Sequence, residues 1–413
     1  MLRRFFSLSL FFGLLFSLAN LSQADFTTPA KNISHSTRTS VHPKITSLPG
    51  TDYVFVIWIE MNLDQDLLYF SRSVDGGTTW STPFQLTTEG QIQSHSGSGD
   101  EWLEDYYAYS MAVQGNYIHV VFQWRIDDGD DFEIIYLRSS DLGATAQNWE
   151  AWRYLTDNAT DSIHPDVAVS AGLPEYVHFT YTDSWPGNKE IMYKRLTGHG
   201  SGDMLTRRLT FSSTDSVYPR VAVSADGYFV HVVYQDWVSG NWGIMYKNIS
   251  LQGTGPYSTY RLTTSSALNE FPDIAVSSGS PPEDQYVYIV YQTFYPGSYE
   301  IMYKRLDQYG NGAFNTYTAR LTYSFFSSLS NSVDFDDASN CVHISYHDSW
   351  PGNDDIMHKK FDNFGGAGFS TQRVSWGTGP SLNSTIAAYG NGAYIAWSDA
   401  SPGNYEILVK KGS

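Results

Sequence analysis

The sequence predicts an all-β protein, a seven-bladed β-propeller with four-stranded blades, its ring closed by the N-terminal strand completing the last blade. Three observations predict it. A short strand motif recurs seven times: "IMYK" at Ile191, Ile244 and Ile301, "IMHK" at Ile356, "ILVK" at Ile407, "IIYL" at Ile134 and "LLYF" at Leu67. The third positions, Tyr69, Tyr136, Tyr193, Tyr246, Tyr303, His358 and Val409, are spaced by 67, 57, 53, 57, 55 and 51 residues, a period suited to four strands and their turns. The composition is that of a turn-rich β protein, with 30 Tyr, 12 Trp and 34 Gly and few helix-forming runs. Finally, the last copy, "YEILVKKGS", ends after a third strand, while "KNISHSTRTSVHP" (Lys31 to Pro43) aligns without gaps to "RRLTFSSTDSVYP" (Arg207 to Pro219). Asn32-Ile33-Ser34 then stand where Arg208-Leu209-Thr210 stand, and the first strand fills the seventh blade, removing two free sheet edges.

Taken in order, the chain opens with "MLRRFFSLSLFFGLLFSLANLSQA". Arg3 and Arg4, an apolar run from Phe5 to Leu18 and the small-x-small triplet Ser22-Gln23-Ala24 read as a secretory signal peptide over residues 1–24. The mature chain is expected to start at Asp25, to lie outside the cytoplasm, secreted or periplasmic, and to form one domain over 25–413. No later stretch has the roughly 20 apolar residues of a membrane span. In the best-preserved repeat, "YPRVAVSADGYFVHVVYQDWVSGNWGIMYKNI", alternation and turn residues place strand one at Arg220–Ser224 and strand two at Tyr228–Tyr234. A loop is expected at Asp236–Asn241, a third strand from Gly243 and a fourth marked by "RLT" at Arg261. "VAVS" or "IAVS" in blades 3, 4 and 5 is apolar on both faces, as the crowded innermost strand requires.

The only cysteine is Cys341, so stability must come from the core rather than from disulfides. The formal charge of -18 becomes -18 - 2 = -20 once Arg3 and Arg4 are removed, which disfavours nucleic acid and anionic membranes as partners.

After the third strand of blade 1 comes "SVDGGTTW", Ser73 to Trp80, which fits S-x-D-x-G-x-T-W, and blade 2 carries a stretched version, "SSDLGATAQNW", Ser139 to Trp149. In these motifs the chain resembles the Asp-box (BNR-repeat, sialidase-like) β-propellers. The resemblance implies a structural turn on the side away from the ligand face, with Asp75 and Thr78 satisfying turn backbone and Trp80 packing between strands. The enzymes of that family have six blades, three arginines at the mouth, a tyrosine–glutamate pair and an acid/base aspartate. Here seven copies are counted, and Arg195, Arg305, Arg208, Arg261 and Arg320 fall at repeated strand positions. Only Arg220 is placed at the inner mouth, with Arg38 and Arg125 available from loops, so sialidase activity is not expected.

The loops from strand two to strand three open on the same face as the central mouth. The "D-x-W-P-G-N" loops there set an aromatic ring beside Asp and Asn: Asp183/Trp185/Asn188, Asp236/Trp237/Asn241, Tyr295/Ser298, Asp348/Trp350/Asn353 and Asp399/Asn404. Ring faces pack on the C–H face of a pyranose while polar neighbours meet its hydroxyls. The bland reading gives Asp and Asn to the turn itself and leaves the aromatic in question. Trp185, Trp237, Tyr295 and Trp350 are therefore the ligand-binding candidates. Tyr106 and Tyr107 join them, from a Gln85–Met111 connection 13 residues longer than its blade-4 counterpart. In "WRIDDGDDFE", Asp127, Asp128, Asp130 and Asp131 offer oxygens for calcium, the candidate cofactor, against a solvated acidic loop. His119, His178, His231 and His343 recur at one register of strand two, which marks a repeated packing element rather than a metal site. His164, Tyr218 and Arg220, flanking the strand-one prolines, hold a base, a phenol and a cation, the parts a uronate lyase uses.

The expected function is binding of extracellular glycans or other ligands on the loop face without catalysis. The alternatives are a carbohydrate-active enzyme, either a polysaccharide lyase or a sialidase-like glycosidase, and a protein–protein scaffold.

Overall fold

The computed structural model describes residues 26–61, 66–87, 108–125, 131–171, 175–185, 187–224, 227–255, 258–277, 285–294, 297–307, 317–350, 352–363, 370–390 and 392–412. They form seven four-stranded antiparallel sheets, with 3-10 turns only at Ala146–Asn148 and Gly198–Gly200. Counted from the centre outwards, blade 1 is Thr39–Ser47, Val54–Met61, Leu67–Ser73 and Phe84–Gln85. Blade 3 is Ser162–Val169, Val177–Asp183, Glu190–Leu196 and Met204–Arg208. The inner strands of blades 2, 4, 5 and 6 are Tyr109–Gln114, Ser216–Val223, Asn269–Val276 and Ser328–Asp336. Blade 7 uses both ends of the described chain: Ser381–Tyr389, Gly392–Asp399 and Glu406–Gly412 take Lys31–Asn32 as their outer strand, with Lys31 opposite Val409 and Asn32 opposite Leu408. The expected ring closure is therefore present.

The core is not central. Side chains of each blade meet those of the next in seven apolar layers, one per interface, such as Ile191, Tyr193 and Leu209 of blade 3 against Val221, Val230 and Tyr234 of blade 4. This explains why "VAVS" is apolar on both sides: Val221 and Ala222 enter different interfaces. Buried within the blades, His119, His178 and His231 meet the phenols of Tyr136, Tyr193 and Tyr246 at 2.6, 2.7 and 2.6 Å, and His343 meets His358 at 3.1 Å. The recurring histidine is thus a hydrogen-bonding element, its Nδ1 answered by the group of the neighbouring strand.

Two local expectations need correction. In blade 4 the inner strand starts earlier than Arg220, at Ser216, and strand two runs on to Val238. Instead of a loop from Asp236 to Asn241 there is a two-residue hairpin, Ser239-Gly240, with φ of 57° and 86°. Trp237 opposite Trp242, rings 5.1 Å apart, extends the pairing in place of Pro-Gly. In the Ser73–Trp80 turn it is chiefly Thr79 whose N–H and hydroxyl reach the Asp75 carboxylate, at 2.8 and 2.6 Å, the Thr78 backbone adding a lesser bond. Those bonds hold the Asp75 carboxyl down at about 2. In the corresponding blade-2 turn Gly143 has φ +65°, and a Cβ there would meet the Phe70 ring at 2.6 Å. Gly143→Ala is accordingly expected to destabilise the protein by about 2 kcal/mol, read as a lowered denaturant midpoint.

Candidate functional site

The inner strands begin, and the second strands end, on one face, because Ser162 pairs with Asp183 and Ser216 with Asp236. At its centre lies a cavity of about 120 Å³ to which all seven blades contribute. Six inner strands enter it through a register break, and the first residue within the break has left-handed backbone: His42, His164, Tyr218, Phe271, Ser330 and Asn383, with φ between 50° and 55°. Such a conformation is costly for a non-glycine residue, and the preceding blade stabilises it. The N–H of His164 donates to Gln123 Oε1 at 3.0 Å, that of Phe271 to Gln235 Oε1 at 2.7 Å and that of His42 to Ser398 Oγ at 3.0 Å. The bulge turns six side chains of differing chemistry toward one mouth.

His164, Tyr218 and Arg220 all line this mouth. The His164 and Tyr218 rings stack at 4.1 Å, and Phe271 meets Tyr218 edge-on at 5.1 Å, so blades 3 to 5 form an aromatic wall. The facing wall is polar, with Ser330 donating to Asn383 Oδ1 at 3.3 Å and Asn331 to the Phe271 carbonyl at 3.2 Å. Burial, reinforced by Lys189 and Arg220, lowers His164 to about 3, so its ring is neutral at physiological pH. Below the mouth, Asp166 and Asp273 accept the N–H of Val221 and Val333 at 2.7 and 2.9 Å, and Asp334 accepts that of Ala388 at 2.7 Å. Each carboxylate staples its inner strand to the next blade. Burial raises Asp166 despite Arg220, and raises Asp334 to about 7.

Around the mouth, Asp and Asn of the "D-x-W-P-G-N" loops are spent on the fold. Asp183 accepts the N–H of Trp185 at 2.7 Å and the Ser162 hydroxyl at 3.1 Å. Asp348 does the same for Trp350 at 2.8 Å and Ser328 at 2.9 Å. Asn188 and Asn353 donate to the Thr214 and Gly379 carbonyls at 2.7 and 3.1 Å, tying each loop to the following connection. What remains outside these bonds is the indole: Trp185 is 69% exposed and Trp350 60%, while Trp237, held in its hairpin, is 37% exposed. Tyr295, Tyr106, Tyr107, Asp127, Asp128 and Asp130 lie outside the described residues, and Asp131 is exposed. Among the described residues no group of three or more His, Cys, Asp or Glu side chains is placed to hold a metal ion, and no helix is long and apolar enough to cross a membrane.

A second set of rings on this face went unread. Phe211, Tyr323 and Trp376 follow "RLT", "RLT" and "RVS" and stand over the guanidinium groups of Arg208, Arg320 and Arg373 at 4.6, 4.5 and 4.3 Å. The same arginines pair with buried Glu190, Glu300 and Asp355 at 2.8, 2.6 and 2.5 Å. The aromatic after each triplet was the available signal.

No family model matches the sequence. No curated protein sequence matches it. Among solved structures similar in fold, the polysaccharide lyase Uly1 superposes with a TM-score of 0.57 at 10% identity, covering 96% of this chain and 94% of that one. The sialidase of Trypanosoma rangeli in complex with sialic acid gives a TM-score of 0.49 at 11% identity over 93% of this chain, which spans 57% of the sialidase. A GH62 hydrolase in complex with xylotriose gives 0.36 at 7% identity, covering 60% of this chain and 90% of that one. These neighbours are carbohydrate-active enzymes with propeller folds, and at such identities the likeness is one of fold alone.

Proposed function

We propose that the protein binds an extracellular glycan chain across its loop face, with Trp185, Trp350 and the ring wall of the mouth as sugar platforms. One observation carries this reading. Among the described residues the exposed large apolar side chains crowd this face, from Trp185 through Phe211, Tyr323 and Phe325 to Trp376, while only Val74, Met204 and Tyr228 stand on the other. Exposed rings held rigidly by backbone-bonded Asp residues present stacking area at little entropic cost. Titrating a panel of polysaccharides by affinity electrophoresis is expected to find a ligand that Trp185→Ala and Trp350→Ala each weaken about five- to tenfold, the value of one stacked ring. Unchanged affinity in both variants would refute the reading.

The meeting of His164, Tyr218 and Arg220 supports a second reading, β-elimination on a uronate. A base removes the proton α to the carboxylate, the C–O bond to the leaving sugar breaks as the double bond forms, the phenol protonates the leaving oxygen and Arg220 neutralises the carboxylate. The weak basicity of buried His164 ranks it second. Appearance of the near-ultraviolet absorbance of an unsaturated uronate, lost in Tyr218→Phe, would establish it; binding without product leaves the first reading standing.

A further inference from the structure

A recess larger than the cavity at the mouth lies at the seam where the ring closes. A groove of about 540 Å³ runs between blades 7 and 1, lined by Asn32 to Arg38 on one side and Trp80 to Pro83 on the other, with Glu60 and Tyr69 inside. Its origin is topological. Both outer strands at the seam, Lys31–Asn32 and Phe84–Gln85, are only two residues long, as is Arg153–Tyr154 of blade 2, whereas those of blades 3 to 6 have four or five. Less sheet covers the interface, and a cleft of the size that holds small ligands is left open.

Its lining departs from the repeat in a directed way. At the register of Tyr69, the residues Tyr136, Tyr193, Tyr246, Tyr303, His358 and Val409 are all 4% exposed or less. Tyr69 alone is half-buried. In blades 2, 3 and 4 a histidine of strand two holds the phenol, but in blade 1 Val56 occupies that place. Trp58, which pairs with Tyr69 where other blades carry smaller residues, stacks on its ring at 6.1 Å. The phenol therefore turns to the groove. There Glu60, 4% exposed, is fixed by hydrogen bonds from Ser36 Oγ at 2.5 Å, Ser40 Oγ at 3.1 Å and Trp58 Nε1 at 3.2 Å, and keeps an acceptor position on Oε2. Arg38, exposed on the rim between Ser36 and Ser40, makes no ion pair with a described residue. A rigid carboxylate, a guanidinium, a phenol and several hydroxyls around the half-buried Trp80 ring combine hydroxyl recognition with a stacking face, and their charges cancel.

We infer that the seam groove is a second saccharide site, separate from the mouth, that takes a neutral sugar unit, its hydroxyls between Glu60, Tyr69 and Arg38 and its C–H face on Trp80. The ligand class is that of the proposed function, but the site does not depend on the loop-face platforms. The test uses the full mature chain with Trp185 and Trp350 both replaced by alanine, titrated with neutral xylo-, manno- and galacto-oligosaccharides and with oligogalacturonate, followed by saturation-transfer NMR. Residual binding of a neutral oligosaccharide is expected. Arg38→Ala in that background should weaken it about tenfold, and Thr82→Trp, which fills the groove from an exposed position, should remove it. Retained melting temperature in both variants excludes loss of fold. Residual binding untouched by either variant overturns the groove and leaves the loop face standing. Preference for oligogalacturonate overturns the neutral-sugar assignment, and no binding even by the chain with both tryptophans intact overturns both sites.

Discussion

A chain beginning at His35 is expected to lose more than about 10 °C of melting temperature relative to one beginning at Asp25 and to aggregate on heating, although only ten residues separate the two. The missing segment is a clasp. Ile33, 2% exposed, sits in the interface of blades 7 and 1, its N–H donates to Ile407 at 2.9 Å, and Ser34 Oγ accepts from the Ile407 N–H at 2.8 Å. Phe26, 4% exposed, packs with Trp397 and meets His358 edge-on at 5.0 Å. Ile33 is worth about 2–5 kcal/mol and Phe26 about 3–5 kcal/mol. Their joint loss is comparable to the whole stability of a domain. It also leaves the Glu406–Gly412 strand as a bare edge, a template for aggregation. Differential scanning calorimetry with light scattering reads both effects, and a peptide spanning residues 26–37 added in trans should restore part of the loss. A truncated chain melting within a degree or two of the full one would show that the ring does not depend on its closure.

Acid is expected to begin destabilising the protein below about pH 6.5, where the histidines of the unfolded chain take up protons. Burial pushes His119, His164, His178, His231 and His358 to about 3 and His42 and His347 to about 4, and lowers His343 well below its ordinary value. These rings stay neutral in the folded state, whereas in the unfolded chain they take up protons near pH 6.5. The stability tied to them is therefore complete above about pH 6.5 and is lost progressively as the pH falls toward 3. Each contributes about 1.4 kcal/mol of loss per pH unit below 6.5 until its folded value is reached. Raised carboxyls work in the opposite direction, since Asp334, at about 7, and Asp166, Asp236, Glu133 and Glu270 bind protons more readily folded than unfolded. Only Asp334 among them carries a large shift, so the histidines dominate. Melting temperature should be level from pH 8 to about 6.5 and fall steeply by pH 4.5, with a slope corresponding to several protons. An unchanged melting temperature at pH 4.5 would mean that these rings are charged in the folded protein.

Blade number, blade boundaries and the closing strand were legible because they rest on a period. Seven third strands with one apolar rhythm can bury their faces only against one another, and a last copy lacking its outer strand matches a first segment without a blade. The division of labour in "DSWPGN" was legible for its polar residues, since Asp and Asn beside Pro-Gly have bonds of their own to make in any turn. The mouth was legible only as a neighbourhood. His164, Tyr218 and Arg220 were placed on it by their proximity to the strand-one prolines. Yet a residue before proline is ordinarily extended, and the left-handed backbone that aims His164 and Tyr218 depends on bonds such as that from the His164 N–H to Gln123 in another blade.

The sequence by itself determined the propeller, its closure and the face on which the loops between second and third strands gather around the mouth, since these follow from local periodicity and turn chemistry. Tertiary structure decided everything that depends on what stands beside a side chain. It is why Trp185 points to solvent while Trp237 is pinned in a hairpin, and why the channel carboxylates staple strands. It is also why one tyrosine of a repeated set, Tyr69, opens onto a groove at the seam where the ring closes.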